Sequence, residues 1–350
     1  MEASMSNINR IPLVIAVIAP LVLAASALAQ DGPVRTITEI ADGVYRATNN
    51  NHGTVFMVTD EGVVLADPIN PDFAIWLKGE LDSRFGVPVR YVVYSHHHWD
   101  HASGGAAFAD TAQFVGHANM LHHLALPPES TQLTDVEGQY APLAALDTDA
   151  DGVISRAEAS DMDAPRFAGL DANGDGAISG AELMRGPVSL VHPPNITYTD
   201  QLDISLGGKR LRLNLVGEMN HSLDSSRITF PDASVMFVVD YITFQRLPYM
   251  EMDFELGMYE EWMAAIRDTE EIARNFDHVA AGHGPVGTVD DITDWRLYFE
   301  ALEAAVAAAI DAGQSLEEMQ QSIEIPDYSH WNGYNWLDMN VLGMYHFLTD

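Results

Sequence analysis

Cysteine is absent from all 350 residues, which excludes disulfides and any metal site built on thiolates. Stability must then come from packing and from bound ions. Basic residues are scarce: 17 Lys and Arg stand against 51 Asp and Glu, a formal net charge of −34. Such a surface repels nucleic acid and anionic lipid and suits a salty medium. Long apolar runs are missing too. Only IPLVIAVIAPLVLAASALA, which follows Arg10, approaches the roughly 20 residues a bilayer demands. It is interrupted by Pro12 and Pro20 and closes on Ala27-Leu28-Ala29 ahead of Gln30-Asp31-Gly32. A basic flank, an apolar stretch and a small-x-small ending predict a secretory signal peptide over 1–29. The mature chain is expected to be periplasmic or secreted, and free of the membrane after cleavage.

From Val34 onward the chain alternates between strand and helix patterns. GVYRATNNNHGTVFMVTDEGVVLADPI breaks into short β-branched runs between Asn, Asp and Gly turns. DFAIWLKGELDSRF has helical spacing, and VPVRYVVYS is a continuous buried-type strand. The theme returns in GKRLRLNLVGEMNH and RITFPDASVMFVVDYI, both strand-rich. The helix MYEEWMAAIRDTEEIARNF follows, then the strand HVAAGHGPV, and last the helix DWRLYFEALEAAVAAAIDAG, closed by Gly313. Strand, helix, strand in both halves predicts an α/β sandwich. The aromatic tail YSHWNGYNWLDMNVLGMYHF reads as a packing segment.

Between the halves the pattern changes. LPPESTQLTDVEGQYAP is linker-like, and LAALDTDADGVISRAEA is echoed by FAGLDANGDGAISGAEL at a period of 24 residues. Both fit the calcium-loop template D-x-[DN]-x-[DN]-G-x5-E. In the first, Asp147, Asp149 and Asp151 supply oxygens, Gly152 turns, Val153 offers its carbonyl and Glu158 closes the shell. Asp171, Asn173, Asp175, Gly176, Ala177 and Glu182 repeat those roles. Calcium wants about six to eight oxygens, and this spacing wraps them round one point. Ile154 and Ile178 suit the short strands that pair two such loops. Leu143/Leu146 and Phe167/Leu170 mark the entering helices. The segment 137–185 resembles an EF-hand pair holding two calcium ions, and extracellular loops of this kind act as staples more readily than as sensors.

Elsewhere chemistry concentrates in SHHHWDH, on the loop leaving VPVRYVVYS. In extended chain, side chains two apart point the same way, so His96 and His98 converge on one point while Asp100 and His101 face a second. Imidazole and carboxylate are zinc ligands, and more are needed from other strand ends. His221 after LRLNLVGEMN, Asp240 after VMFVVD and His283 in AGHGP stand at such ends.

This set resembles the metallo-β-lactamase superfamily. The signature H-x-H-x-D-H is His96-x-His98-x-Asp100-His101, NHSLDSS carries the third histidine, and Asp240 and His283 complete the pattern. The resemblance covers roughly 34–125 and 186–313. It implies a four-layered αβ/βα sandwich over 30–125 and 186–350 with two zinc ions. His96, His98 and His221 would hold one, Asp100, His101 and His283 the other, with Asp240 bridging. Asp67 in VVLADP matches a structural aspartate of the family. Asn220 departs from it, where many members carry glycine. His97 is expected to point away from the metals. Trp99 is expected as a pocket wall or core contact. His52, His117, His122, His123, His192, His278, His330 and His346 are expected to be ordinary, His117 standing nearest the pocket.

The implied reaction is attack by a metal-bridged hydroxide, oriented by Asp100 and Asp240, on an ester, lactone or amide carbonyl of a small molecule, β-lactams included. Acyl-homoserine-lactone hydrolases of the family place a tyrosine three residues after the bridging aspartate. Here that residue is Thr243, and Tyr241 adjoins Asp240. A different class is a calcium-binding accessory or structural protein with an idle hydrolase fold. The complete ligand set speaks against it.

Overall fold

The computed structural model describes residues 32–217, 221–249 and 259–349, so the expected signal peptide, Asn220 and the start of the MYEEWM helix lie outside the described residues. Strands β1 (Arg35–Ala41), β2 (Val44–Asn49), β3 (His52–Thr59) and β4 (Gly62–Ala66) form an antiparallel meander. Helix α1 (Pro71–Phe85) crosses back, and β5 (Val89–Val93) and β6 (Gln113–His117) add in parallel. Between these last two lies the short α2 (Trp99–Ala102); α3 (Ala118–Leu124) follows β6.

The sequence of α1 explains its limits. The Asn70 side chain accepts from the Phe73 N–H, Pro71 takes the first turn, and Gly86 ends the helix at φ 64°. Phe73, Ala74, Leu77 and Leu81 form its buried stripe.

Next comes a small body with a core of its own. β7 (Val153–Ser155) and β8 (Ala177–Ser179) pair antiparallel through Ile154 and Ile178, flanked by α4 (Ala164–Leu170) and α5 (Gly180–Arg185). Leu133, Val136, Phe167, Leu170 and Leu183 close round the two isoleucines, so this cluster reaches back as far as residue 133. The segment Gly138–Leu146, expected as a helix entering the first loop, is a 3₁₀ helix containing Pro142. A proline inside the segment offers no N–H for an α-helical bond, which favours the tighter form.

The chain then returns as β9 (Ile196–Tyr198), which pairs in parallel with β6 and completes a seven-stranded sheet. A second sheet of six runs β10 (Gln201–Leu206), β11 (Lys209–Leu215), β12 (Ser226–Phe230), β13 (Val235–Val238), β14 (His278–Ala281) and β15 (Val286–Gly287). Helices α6 (Tyr259–Ala273), α7 (Val289–Asp311), α8 (Leu316–Ser322) and α9 (Leu337–Thr349) belong to this half.

Strand alternation builds the layers. Along β4, Val63 and Leu65 pack with Phe73 and Leu77 of α1, whereas Val64 and Ala66 meet Leu211, Ile228 and Phe237 of the other sheet. Along β13, Val235 and Phe237 face between the sheets, whereas Met236 and Val238 face Trp262, Trp295 and Phe299. The order is helix, sheet, sheet, helix, as expected. Helix α7 starts at Val289, earlier than the apolar pattern predicted, because Thr288 and Asp291 form a capping box. The aromatic tail packs: Trp331 stacks on Trp295 at 6.3 Å, and the Tyr298 hydroxyl donates to Asn340 Oδ1 at 2.7 Å. Among the described residues no helix is long and apolar enough to cross a membrane.

Candidate metal centre

The ends of β4, β5 and β13 and the loop after β14 meet at one edge of the sandwich, as parallel strand ends do in sites of α/β sheets. Two of the residues there are held at positive φ although neither is glycine: Asp67 at 45° and Asp240 at 66°. Such strain persists only where the surroundings over-determine it. Asp67 is fully buried, and its Oδ1 accepts the Ser95 N–H at 2.8 Å, which fixes the start of the histidine loop.

The structure brings all seven expected residues together in two groups that share Asp240. In the first, one donor atom each of His96, His98, His221 and Asp240 lies within 4.8 Å of the others. His96 Nε2 is 3.1 Å from His221 Nε2, and both are 3.5 Å from Asp240 Oδ2. The second contains Asp100, His101, His283 and Asp240. Here His101 Nε2 is 3.2 Å from His283 Nε2 and 3.1 Å from Asp240 Oδ2, and Asp240 Oδ1 is 3.3 Å from His283 Nε2. Donors bound to one zinc ion at about 2.0–2.2 Å stand roughly 3.3–3.6 Å apart in a tetrahedron, so the spacing fits such an ion in each group.

The electrostatics agree. Burial opposes ionisation of Asp100 and Asp240, yet the His101 charge and hydrogen bonds from histidines hold both carboxyls well below the usual range. Burial likewise pulls the His101 imidazole down, but Asp240 and Asp100 outweigh it and raise it to about 10. Burial lowers His98, His221 and His283, His221 to about 3. The two carboxylates thus call for positive charge, which His101 carries here and a metal ion would bring in its place, while His98, His221 and His283 stay neutral, the ligand form. Buried Asp240 Oδ1, Asp67 Oδ2 and His101 Nδ1 have no hydrogen-bond partner among the described residues. Partners that aim the rings are Ser95 Oγ, 2.9 Å from His96 Nδ1, and the Asn51 carbonyl, 3.2 Å from His283 Nδ1. Gly284, at φ 115°, lets this loop turn where a Cβ would strike the Phe244 carbonyl at 2.6 Å.

Side chains of Asp100 (25% exposed) and His221 (17%) open one side of the cluster to solvent, while His96 and His101 are shut in.

One of the remaining histidines falls differently from expectation. His52 Nε2 lies 3.2 Å from Asp100 Oδ2, with its ring 4.5 Å from that of His283, so this residue belongs to the rim of the centre. Its position at a strand start after an Asn-rich turn was the available signal. His117 instead binds the Thr199 carbonyl through Nε2 at 2.7 Å and caps α3 with Nδ1. His97 turns away from the seven, as expected, and its Nδ1 meets Asp224 Oδ1 at 2.9 Å. Tyr241 is buried, its hydroxyl 3.3 Å from Thr269 Oγ1, and the Thr243 hydroxyl donates to the Arg246 carbonyl. Neither side chain makes a hydrogen bond to the cluster.

The two acidic loops fold alike. The first aspartate of each, Asp147 or Asp171, accepts from the N–H groups four and five residues on. Glu158 and Glu182 each reach back to the N–H of the loop's second residue at 2.8 and 2.9 Å. Gly152 and Gly176 make the turn at φ 92° and 87°. Donor oxygens of Asp147, Asp149 and Glu158 converge within 4.8 Å; the second loop has the amide Asn173 at its third position.

A family model described as the metallo-beta-lactamase superfamily matches residues 51–307. No curated protein sequence matches the chain. The solved structure of the stereoselective inverting sec-alkylsulfatase Pisa1 from Pseudomonas sp. superposes with a TM-score of 0.57 at 16% identity, over 89% of this chain and 50% of that one. A double mutant of that sulfatase gives 0.57 at 16%, over 90% and 50%. A metallo-beta-lactamase from Pontibacter korlensis gives 0.48 at 15%, over 74% and 96%. The chain therefore spans half the length of the alkylsulfatase, and at such identities the likeness is one of fold.

Proposed function

Because the chain belongs to the metallo-β-lactamase superfamily, whose members are typically metal-dependent hydrolases, we propose that it is an exported, zinc-dependent hydrolase of a small-molecule ester, lactone or amide, with a calcium-binding insert. One observation carries the reading. Asp240 Oδ2 stands 3.1 Å from His101 and 3.5 Å from His96 and His221, which makes one carboxylate common to both donor groups.

The fit rests on the donor set, imidazole nitrogens beside ionised carboxylate oxygens at ligand spacing. His96, His98 and His221 would hold one zinc ion and Asp100, His101 and His283 the other, with Asp240 between them. Zinc bound there lowers the pKa of water towards neutrality and polarises the scissile group. The protein's own part is to orient and to exclude. Asp100, on the open side, and Asp240 beside it would orient an attacking water through their carboxylate oxygens. Asp67, beneath Ser95 and 3.8 Å from His101 Nδ1, keeps the second group's imidazole in place. His52, at the rim, holds Asp100 in its orientation. The solvent opening at Asp100 and His221 is the route for substrate.

For the insert, the matched N–H pattern of the two loops supports a calcium ion in each, held by Asp147, Asp149, Asp151, Val153 and Glu158 and by Asp171, Asn173, Asp175, Ala177 and Glu182. The signal-peptide reading of residues 1–29 supports export to the periplasm or beyond.

The test is metal analysis of the purified chain with a screen of β-lactams, lactones, aryl esters and sulfate esters. At least two transition-metal ions per chain and turnover of one carbonyl class are expected. Turnover of sulfate esters alone would replace the carbonyl reading. Bound metal with no turnover of any class would favour the accessory protein with an idle fold.

A further inference from the structure

One more group of metal-competent side chains gathers outside the seven. His97 on the loop after β5, His123 in the last turn of α3 and Asp224 on the loop before β12 each bring a donor atom within 4.8 Å of the others. Asp224 is 1% exposed. Its Oδ1 is engaged by His97 Nδ1 at 2.9 Å and by the Ser222 hydroxyl. Its other oxygen, Oδ2, is buried with no hydrogen-bond partner among the described residues, and so is Nε2 of His123. Two buried polar atoms, a carboxylate oxygen and an imidazole nitrogen, left unsatisfied in one cluster, call for a group between them. A carboxylate with two imidazoles is a donor set that zinc and its neighbours accept, with room for a water as fourth ligand.

We propose that His97, His123 and Asp224 form a third transition-metal site, of the zinc class, beside the pair. It shares no ligand with the seven, so it stands or falls apart from the proposed function. One feature must change on binding. The rings of His97 and His123 stack at 4.0 Å and 9°, and an ion is held in the plane of each imidazole it touches. Binding therefore requires the His123 ring to turn out of the stack. The site would then tie α3, the element leading to the insert, to both loops that carry the first donor group. Its role is bracing, since His97 lies between His96 and His98 and Asp224 lies just after His221.

The experiment uses the full chain saturated with calcium, stripped of transition metal and reloaded with cadmium, read by ¹¹³Cd NMR and by metal analysis. Wild type is expected to give three cadmium signals. His123→Asn and, independently, His97→Gln should each lose the same one and keep two, while His221→Ala should disturb another and leave that one. Two signals in wild type and both variants overturn the proposal, as do three in all of them, which would put the third ion elsewhere. Loss of the pair's signals with the His123-dependent one intact would sink the proposed function and leave this site standing.

Discussion

Asp67 and Asp240 carry comparable structural burdens by different means. Asp240 offers its oxygens to both donor groups, so Asp240→Ala is expected to cost at least one of the two ions held by the seven, and to lower hydrolysis by at least about 10²-fold. Asp67 touches no proposed ion, yet it sets Ser95 and His101. For Asp67→Asn a loss of about 10–100-fold in metal affinity is expected, since partners that orient ligands contribute on that scale. Competition with a chromophoric chelator measures both. An unchanged affinity in Asp67→Asn would mean that the loop holds its shape without the carboxylate. Residue identity made the seven donors legible, because His and Asp at strand ends are unusual and bunch in sequence. His52 and Asp224 were not legible, because their partners Asp100 and His97 stand 48 and 127 positions away. Beyond the place of His52 at a strand start, nothing local marks such contacts; they exist only once the sheets are paired.

At the level of elements, short apolar and β-branched runs between turn residues revealed β4 and β13 as strands, but not which alternate residues face the other sheet, since both faces are apolar. Capping chemistry was the better guide to helix limits: the Thr288–Asp291 box places the start of α7, and the mean apolarity of the segment does not. Helices α6 and α7 are joined by Glu270, whose carboxylate meets Arg296 Nε at 2.7 Å and the Thr293 hydroxyl at 2.8 Å. Burial raises the Glu270 carboxyl, but Arg296 and Thr293 outweigh it and the net shift is downward. A folded-state pKa below the unfolded value of about 4.3 gives stability that is fully present above that pH. It is lost as pH falls through the folded pKa, because the unfolded chain takes up the proton first. Urea midpoints from pH 7 to pH 3 should therefore fall more steeply for wild type than for Glu270→Gln. Parallel curves would show that the contact contributes nothing in the acid range.

Across the whole molecule, charge is the dominant fact. A net −34 repels itself, and the two acidic loops add to that repulsion locally. Calcium in those loops would neutralise carboxylates that now lean on backbone N–H groups, and ligand binding to the folded state alone raises stability. Removing calcium with a selective chelator is expected to lower the melting temperature while the transition metal stays bound, because the loops share no donor with the seven. Equal melting curves with and without calcium would remove the stapling role. The layered architecture was legible in the order of strands and helices; the pairing of β9 with β6 was not, because three residues give no pattern to read.

That pairing has a topological consequence. Val115 faces Ile196 and His117 faces Tyr198 in neighbouring parallel strands, so everything between them is, for the sheet, a single crossover. A crossover of this kind needs only about a dozen residues. The acidic body is thus a graft whose two stumps already sit side by side. A chain with that body excised and a short bridge in its place should still assemble both sheets, and the same junction would accept a foreign domain whose termini lie equally close.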